Sequence, residues 1–191
     1  MREFNLLVVP GSPALVRELA PLDESGRKIT DALRELVAGD DRPVEIVGSR
    51  DERWRTEITG SFCAWGADVQ VGGGNYLPEL VARYVLPGRE IADSRDRIAP
   101  LNPDALTVVV VDGPAGLTAR APLALIDGAP STHTGLQQFL DGAGELPGEL
   151  AGVVEKRLWL ELAQLEAQKT LVASVGDLGV GRYLAAWEVA A

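Results

Sequence analysis

Phe4 to Val9 (FNLLVV) is a short, mostly apolar run stopped by Pro10-Gly11, the pattern of a buried strand. Ser12-Pro13 then offers an N-cap followed by proline at the first helical position, and Leu15, Val16 and Leu19 supply one apolar face for a short helix. From Ser25 onward Ile29, Ala32, Leu33, Leu36 and Val37 recur at helical spacing, and Gly39 ends the run. Val44 to Val47 predicts a second strand, broken by Gly48-Ser49-Arg50-Asp51. No period holds from Arg53 to Ala67, where Trp54, Phe62 and Trp65 are expected to pack. Val69 to Val71 predicts a short strand before Gly72-Gly73-Gly74. Leu77, Leu80, Val81, Tyr84 and Val85 then form a helical stripe, with Pro78 tolerated in its first turn.

Residues 87–103 carry three prolines and many charges, which predicts a loop or a broken helix. Leu106 to Val111 (LTVVVV) is the strongest strand, and its unbroken β-branched run predicts a central position covered on both faces. The Pro-, Gly- and Ala-rich stretch from Asp112 to Ser131 reads as a long loop, of the kind that often lines a site. Helices are expected around His133–Leu140 and, longer, around Pro147–Ala167. Leu171 to Val175 and Val180 to Val189 flank Gly176-Asp177-Leu178-Gly179 and predict a terminal hairpin. Alternating strands and helices give one α/β domain over residues 1–191. Its expected form is a three-layer α/β/α sandwich with a mixed, mostly parallel sheet and a C-terminal antiparallel hairpin.

At 191 residues one domain is the natural count, and 46% hydrophobic content suffices for a core. The net charge of −10 repels phosphate backbones and anionic lipid, which argues against nucleic acid and membrane as partners. A single cysteine offers no disulfide framework and fits a reducing compartment. The first apolar run is too short for a signal peptide, and no run approaches a membrane span, so a cytoplasmic protein is expected. One histidine and one cysteine cannot build a His/Cys metal cage, which leaves carboxylates, hydroxyls, arginines and backbone groups for any chemistry.

In open α/β sheets ligands sit beyond the carboxyl ends of the parallel strands. Those ends are expected at Pro10-Gly11-Ser12-Pro13, Gly48-Ser49-Arg50-Asp51 and Asp112-Gly113-Pro114, with Gly176–Tyr183 completing the rim. The polar groups available there are Ser12, Ser49, Arg50, Asp51, Asp112, Thr118, Arg120, Asp177 and Arg182. No serine lies in a nucleophile-elbow pattern and no phosphate-binding glycine loop is present; Gly176-x-x-Gly179-x-Gly181 reads better as a hairpin turn. His133, at an expected helix start, is either a surface or capping-turn residue or a base oriented by Asp127 or Asp112. Cys63, between Phe62 and Trp65, is expected to pack as a small apolar residue.

The segments VVPGSPALVREL, IVGSRD, GSFCAWGADVQVG, VVVVDGPAGLTARAP and GVGRYLAAW occur in this order over nearly the whole chain. The series resembles the class III extradiol ring-cleaving dioxygenases, at the level of small actinobacterial proteins related to their catalytic beta subunit. The resemblance implies a mixed α/β sandwich in which iron(II) is held by two histidines and a glutamate. A first ligand histidine is implied in a Pro-His-x-Pro turn, where this chain has Gly11. The second is implied at Ser49-Arg50, and the catalytic histidine in the loop occupied here by Asp112-Gly113-Pro114-Ala115-Gly116. The glutamate is implied near the C-terminal segment, where the nearest acid is Asp177.

One histidine cannot supply two ligands and an acid–base group. The expectation is therefore a non-catalytic member of this fold that binds a small molecule or a partner subunit at the old cleft, without a cofactor; a homo-oligomer is compatible with it. Gly11, Ser12, Ser49, Arg50, Asp112 and Asp177 are the expected cleft-lining residues. The alternative is a ring-opening dioxygenase with a rebuilt Fe2+ site formed by Asp112, His133 and Asp177, with His133 and Asp112 catalytic. Two arrangements of Arg50 are open: its guanidinium fills the former metal site and pairs with Asp112 or Asp177, or it points to solvent.

Overall fold

The computed structural model describes residues 4–119 and 125–190. Six strands form one sheet: β1 (Leu6–Val9), β2 (Val44–Gly48), β3 (Ile91–Arg95), β4 (Leu106–Val110), β5 (Ala167–Val175) and β6 (Arg182–Val189). Their order is β3-β2-β4-β1-β6-β5, with β3, β2, β4 and β1 parallel and β6 antiparallel to both β1 and β5. The mixed sheet with its closing hairpin matches the pattern expected from the sequence. β1, β2 and β4 are buried throughout, so each reads as an apolar run rather than an alternation.

Helices α1 (Glu24–Leu36) and α2 (Leu77–Val85) cover one face, and α3 (Ala129–Leu140) and α4 (Arg157–Leu162) the other. The two-residue period of the strands divides the core between them. Leu7, Val9, Ile46 and Val108 pack toward α1 and α2, while Leu6, Val8, Val109 and Trp187 pack toward α3 and α4. Among the described residues no helix is long and apolar enough to cross a membrane.

Five local expectations are corrected. Residues 91–95 form an edge strand rather than a loop; Asp93, Ser94 and Arg95 hide its pattern, and Arg95 folds back onto Glu45 of β2 and the carbonyls of Ile98 and Pro100. The helix expected over 147–167 shrinks to α4. Leu150 and Val153 still enter the core, but from a chain turned by Gly152 at φ +79°. β5 starts at Ala167 because Lys169 occupies an inward position, its ammonium 3.9 Å and 4.4 Å from the Phe139 and Trp187 ring centroids. The short helix after Ser12 is a single 3-10 turn, and the strand expected at 69–71 amounts to one bridge between Ser61 and Gln70.

A buried ion pair fixes α1 to the sheet. Asp23 caps α1 by accepting from the Gly26 amide at 3.0 Å, and the same carboxylate takes both terminal nitrogens of the fully buried Arg182 on β6. Gly26 is required there, since a Cβ would lie 2.2 Å from Asp23 Oδ2 and 2.9 Å from the guanidinium. Removing one partner leaves the other charge buried and uncompensated. Arg182→Met should therefore cost about 3–5 kcal/mol, read as a lower urea midpoint. Asp23→Asn added to it should restore part of the loss.

Candidate active site crevice

The chain leaves the carboxyl end of β1 over the α1 face toward β2, and leaves that of the adjacent β4 over the α3–α4 face toward β5. Neighbouring strands whose connections diverge in this way open a crevice at their carboxyl ends. Gly11-Ser12 stand on one side of it and Asp112-Gly113 on the other.

Asp112 closes the crevice at its base. Its Oδ1 accepts from the Gly11 amide at 3.1 Å, and the Ser12 amide lies near enough to favour the charged carboxylate. Its backbone carbonyl accepts from the Trp159 indole at 3.0 Å. Burial pushes the carboxyl up to about 6, against the opposing pull of the two amides and the Arg182 charge. A Cβ on Gly11 would lie 3.2 Å from Val110 and 3.4 Å from Asp112 Oδ2, so this position is closely packed against the acid.

Beside Asp112 the β6 residue Tyr183 is buried edge-on to Trp159, and its hydroxyl lies 2.6 Å from His133 Nδ1 with the two rings stacked. Burial, with the charge of Asp112, pushes the phenol up, so it keeps its proton; burial pushes the imidazole down, so it is neutral. Among the described residues Nδ1 is the hydroxyl's one hydrogen-bond partner. The phenol must then donate to Nδ1, which leaves the proton of His133 on Nε2. Gly113 and Gly181 make room for the hydroxyl: a Cβ on either would come within 2.5 Å of it. The crevice thus combines a half-buried acid and a neutral, half-buried imidazole, backed by a fully buried, protonated phenol. Asp112 and His133, the two of these groups that are not fully buried, can accept and donate hydrogen bonds to one bound molecule.

The hairpin completes this rim. Gly113 donates to the Gly181 carbonyl at 2.7 Å, Gly181 to Pro114 at 2.9 Å and Leu117 to Gly179 at 3.0 Å. Asp177 lies there but turns to Arg182, at 3.0 Å. Ser12 caps the 3-10 turn through the Ala14 amide at 3.3 Å. Ser49 donates to Glu155 at 2.8 Å, away from Asp112. Thr118 is half-buried in the loop, and Arg120 lies outside the described residues.

Arg50 does not fill the position where the resemblance implies a metal. It is exposed, donates to the Ser94 carbonyl and lies 5.9 Å from the Tyr76 ring centroid, while Asp51 pairs with Arg53 at 2.9 Å. The guanidinium that reaches Asp177 belongs to Arg182. His133 is also placed differently from expectation: it sits in the second turn of α3 and bonds to Tyr183, with neither Asp127 nor Asp112 orienting it. Cys63 is exposed rather than packed.

No family model matches the chain, and no curated protein matches it. Iron(II), the metal that the resemblance implies, does not fit the residues present. Among the described residues no three His, Cys, Asp or Glu side chains stand close enough to hold a metal ion, so Asp112, His133 and Asp177 do not assemble into a site. The Asp112 carboxylate is engaged by the Gly11 amide, and a buried guanidinium lies near enough to act on it.

The raised Asp112 pKa has a stability consequence. Folded, the carboxyl keeps its proton up to about pH 6; unfolded, it loses it near 3.8. Stability from this group is therefore present below about pH 4 and is lost as pH rises through about 6. Asp112→Asn keeps an acceptor for Gly11 and Ser12 without the buried charge. It should be more stable than the parent by about 1–3 kcal/mol at pH 8 and equal to it at pH 4, measured by urea denaturation.

Proposed function

We propose that this chain is a non-catalytic member of the class III extradiol dioxygenase fold that binds a small molecule in the crevice between β1 and β4. The observation that carries the reading is Asp112, an acid held at the switch point of the sheet where its burial costs stability. Such a cost is characteristic of functional sites. His133 beside it, held by the buried Tyr183, adds a second polar group. The reading needs no resident iron, because Gly11, Ser49 and Arg50 stand where the resemblance implies metal ligands. A cytoplasmic setting agrees with the single cysteine.

A library of small aromatic and carboxylic fragments, screened by amide-detected NMR on the full chain, tests this. Binders should shift the amides of Gly11, Ser12, Asp112 and Gly113, and Asp112→Asn should weaken them by about tenfold, the loss of one charge-assisted hydrogen bond. Absence of any fragment that shifts these amides contradicts the binding function. Stoichiometric iron uptake with ring opening of a catechol contradicts the non-catalytic part.

A further inference from the structure

At the opposite end of the sheet from the crevice, a groove of about 1230 Å³ runs between the last turns of α1 and the hairpin strands β5 and β6. Its volume exceeds the roughly 300–1,000 Å³ of small-molecule sites. Leu36, Ala167, Val172 and Val189 give it an apolar lining. Val172 owes its place to a register shift in the β5–β6 ladder between Leu171 and Ala173, and it remains 37% exposed.

The electrostatics of the groove have one sign. Glu35, Asp41, Glu166 and Glu188 line it, and among the described residues none of the four forms an ion pair. Its cation, Arg42, is already engaged, by Asp40 at 2.6 Å and by the Phe4 carbonyl at 2.9 Å. The carboxyl end of α1, with Glu35 and Leu36 in its last turn, adds the negative pole of the helix. An apolar floor alone would accept any hydrophobic partner. The carboxylates and the helix end restrict it to one that brings positive charge with its apolar side chains.

We propose that this groove is a docking site for a basic, partly apolar peptide segment of a partner protein, whose apolar side chains cover Leu36 and Val172 while its lysines or arginines meet Glu35, Glu166 and Glu188. The site is separate from the crevice and does not depend on what binds there.

Fluorescence anisotropy on the full chain tests the assignment. The probe is a labelled nonapeptide alternating lysine with leucine or valine. Its controls are a lysine–serine peptide, a glutamate–leucine peptide and spermine. The lysine–leucine probe should bind saturably and more weakly at high salt. The combined Glu35→Lys, Glu166→Lys and Glu188→Lys variant should weaken it by roughly tenfold or more, and Val172→Asn by a few-fold. Spermine or the lysine–serine peptide binding as tightly as the probe would reduce the groove to general negative charge and overturn the proposal. So would equal binding to the charge-reversed and parent chains, or no binding at all. A parent chain that is dimeric by light scattering, with the dimer lost on Val172→Asn, would assign the groove to a second copy instead and overturn it equally.

Discussion

The contact between the Asp112 carboxylate and the Gly11 amide, with the Ser12 amide close by, organises the functional end of this protein. It joins the carboxyl ends of β1 and β4 at the point where their connections part to opposite faces of the sheet. Everything else in the crevice is placed relative to it. Trp159 grips the Asp112 carbonyl from α4, and Tyr183 stands beside the carboxylate on β6 and holds His133 of α3. Residues from both faces of the sheet thus meet around a single acid.

A carboxylate is an expensive choice for this position. A neutral amide would satisfy the same donors without desolvating a charge, so the packing of the fold does not require aspartate. Arg182 offsets part of the cost from the other side of β6, but its own bonds go to Asp23 and Asp177. The two roles separate cleanly: Arg182 belongs to the scaffold, pinning α1 and the hairpin turn together, while Asp112 is left as the titratable group of the crevice. In the resemblance to the extradiol dioxygenases this region is a metal centre. Here a packed glycine and an outward-turned arginine stand where the resemblance implies ligand histidines, and an amide-bound acid stands in the loop where it implies the catalytic histidine.

Much of this architecture was legible in the sequence, and the exceptions share a cause. β1, β2 and β4 are buried on both faces and α1 and α2 have a single apolar stripe, so composition and period alone locate them. β3 and the start of β5 were hidden because Arg95 and Lys169 sit at inward positions, stabilised by a carboxylate and by aromatic rings that come from distant segments. The strand ends that form the crevice, and Asp112 among them, follow from the topology. The Tyr183–His133 pair does not, since its members lie fifty residues apart. The adjacency Gly181-Arg182-Tyr183 was the available signal: strand alternation sends the two large side chains to opposite faces, one to Asp23 and the other to His133. Arg50 follows a strand end, which leaves both an inward and an outward arrangement open in the sequence; Ser94 on the neighbouring strand supplies the partner that holds it at the surface.

The acidity of Asp112 is the most direct measure of whether the crevice is built as described. Carbon-13 NMR of the side-chain carboxyls, followed from acid to neutral pH on the intact protein, reads it without any ligand or variant. An Asp112 midpoint near 6, with the Gly11 and Ser12 amides shifting at the same pH, is the result the account predicts. A midpoint at the ordinary aspartate value near 3.8, with those amides unmoved, would contradict it.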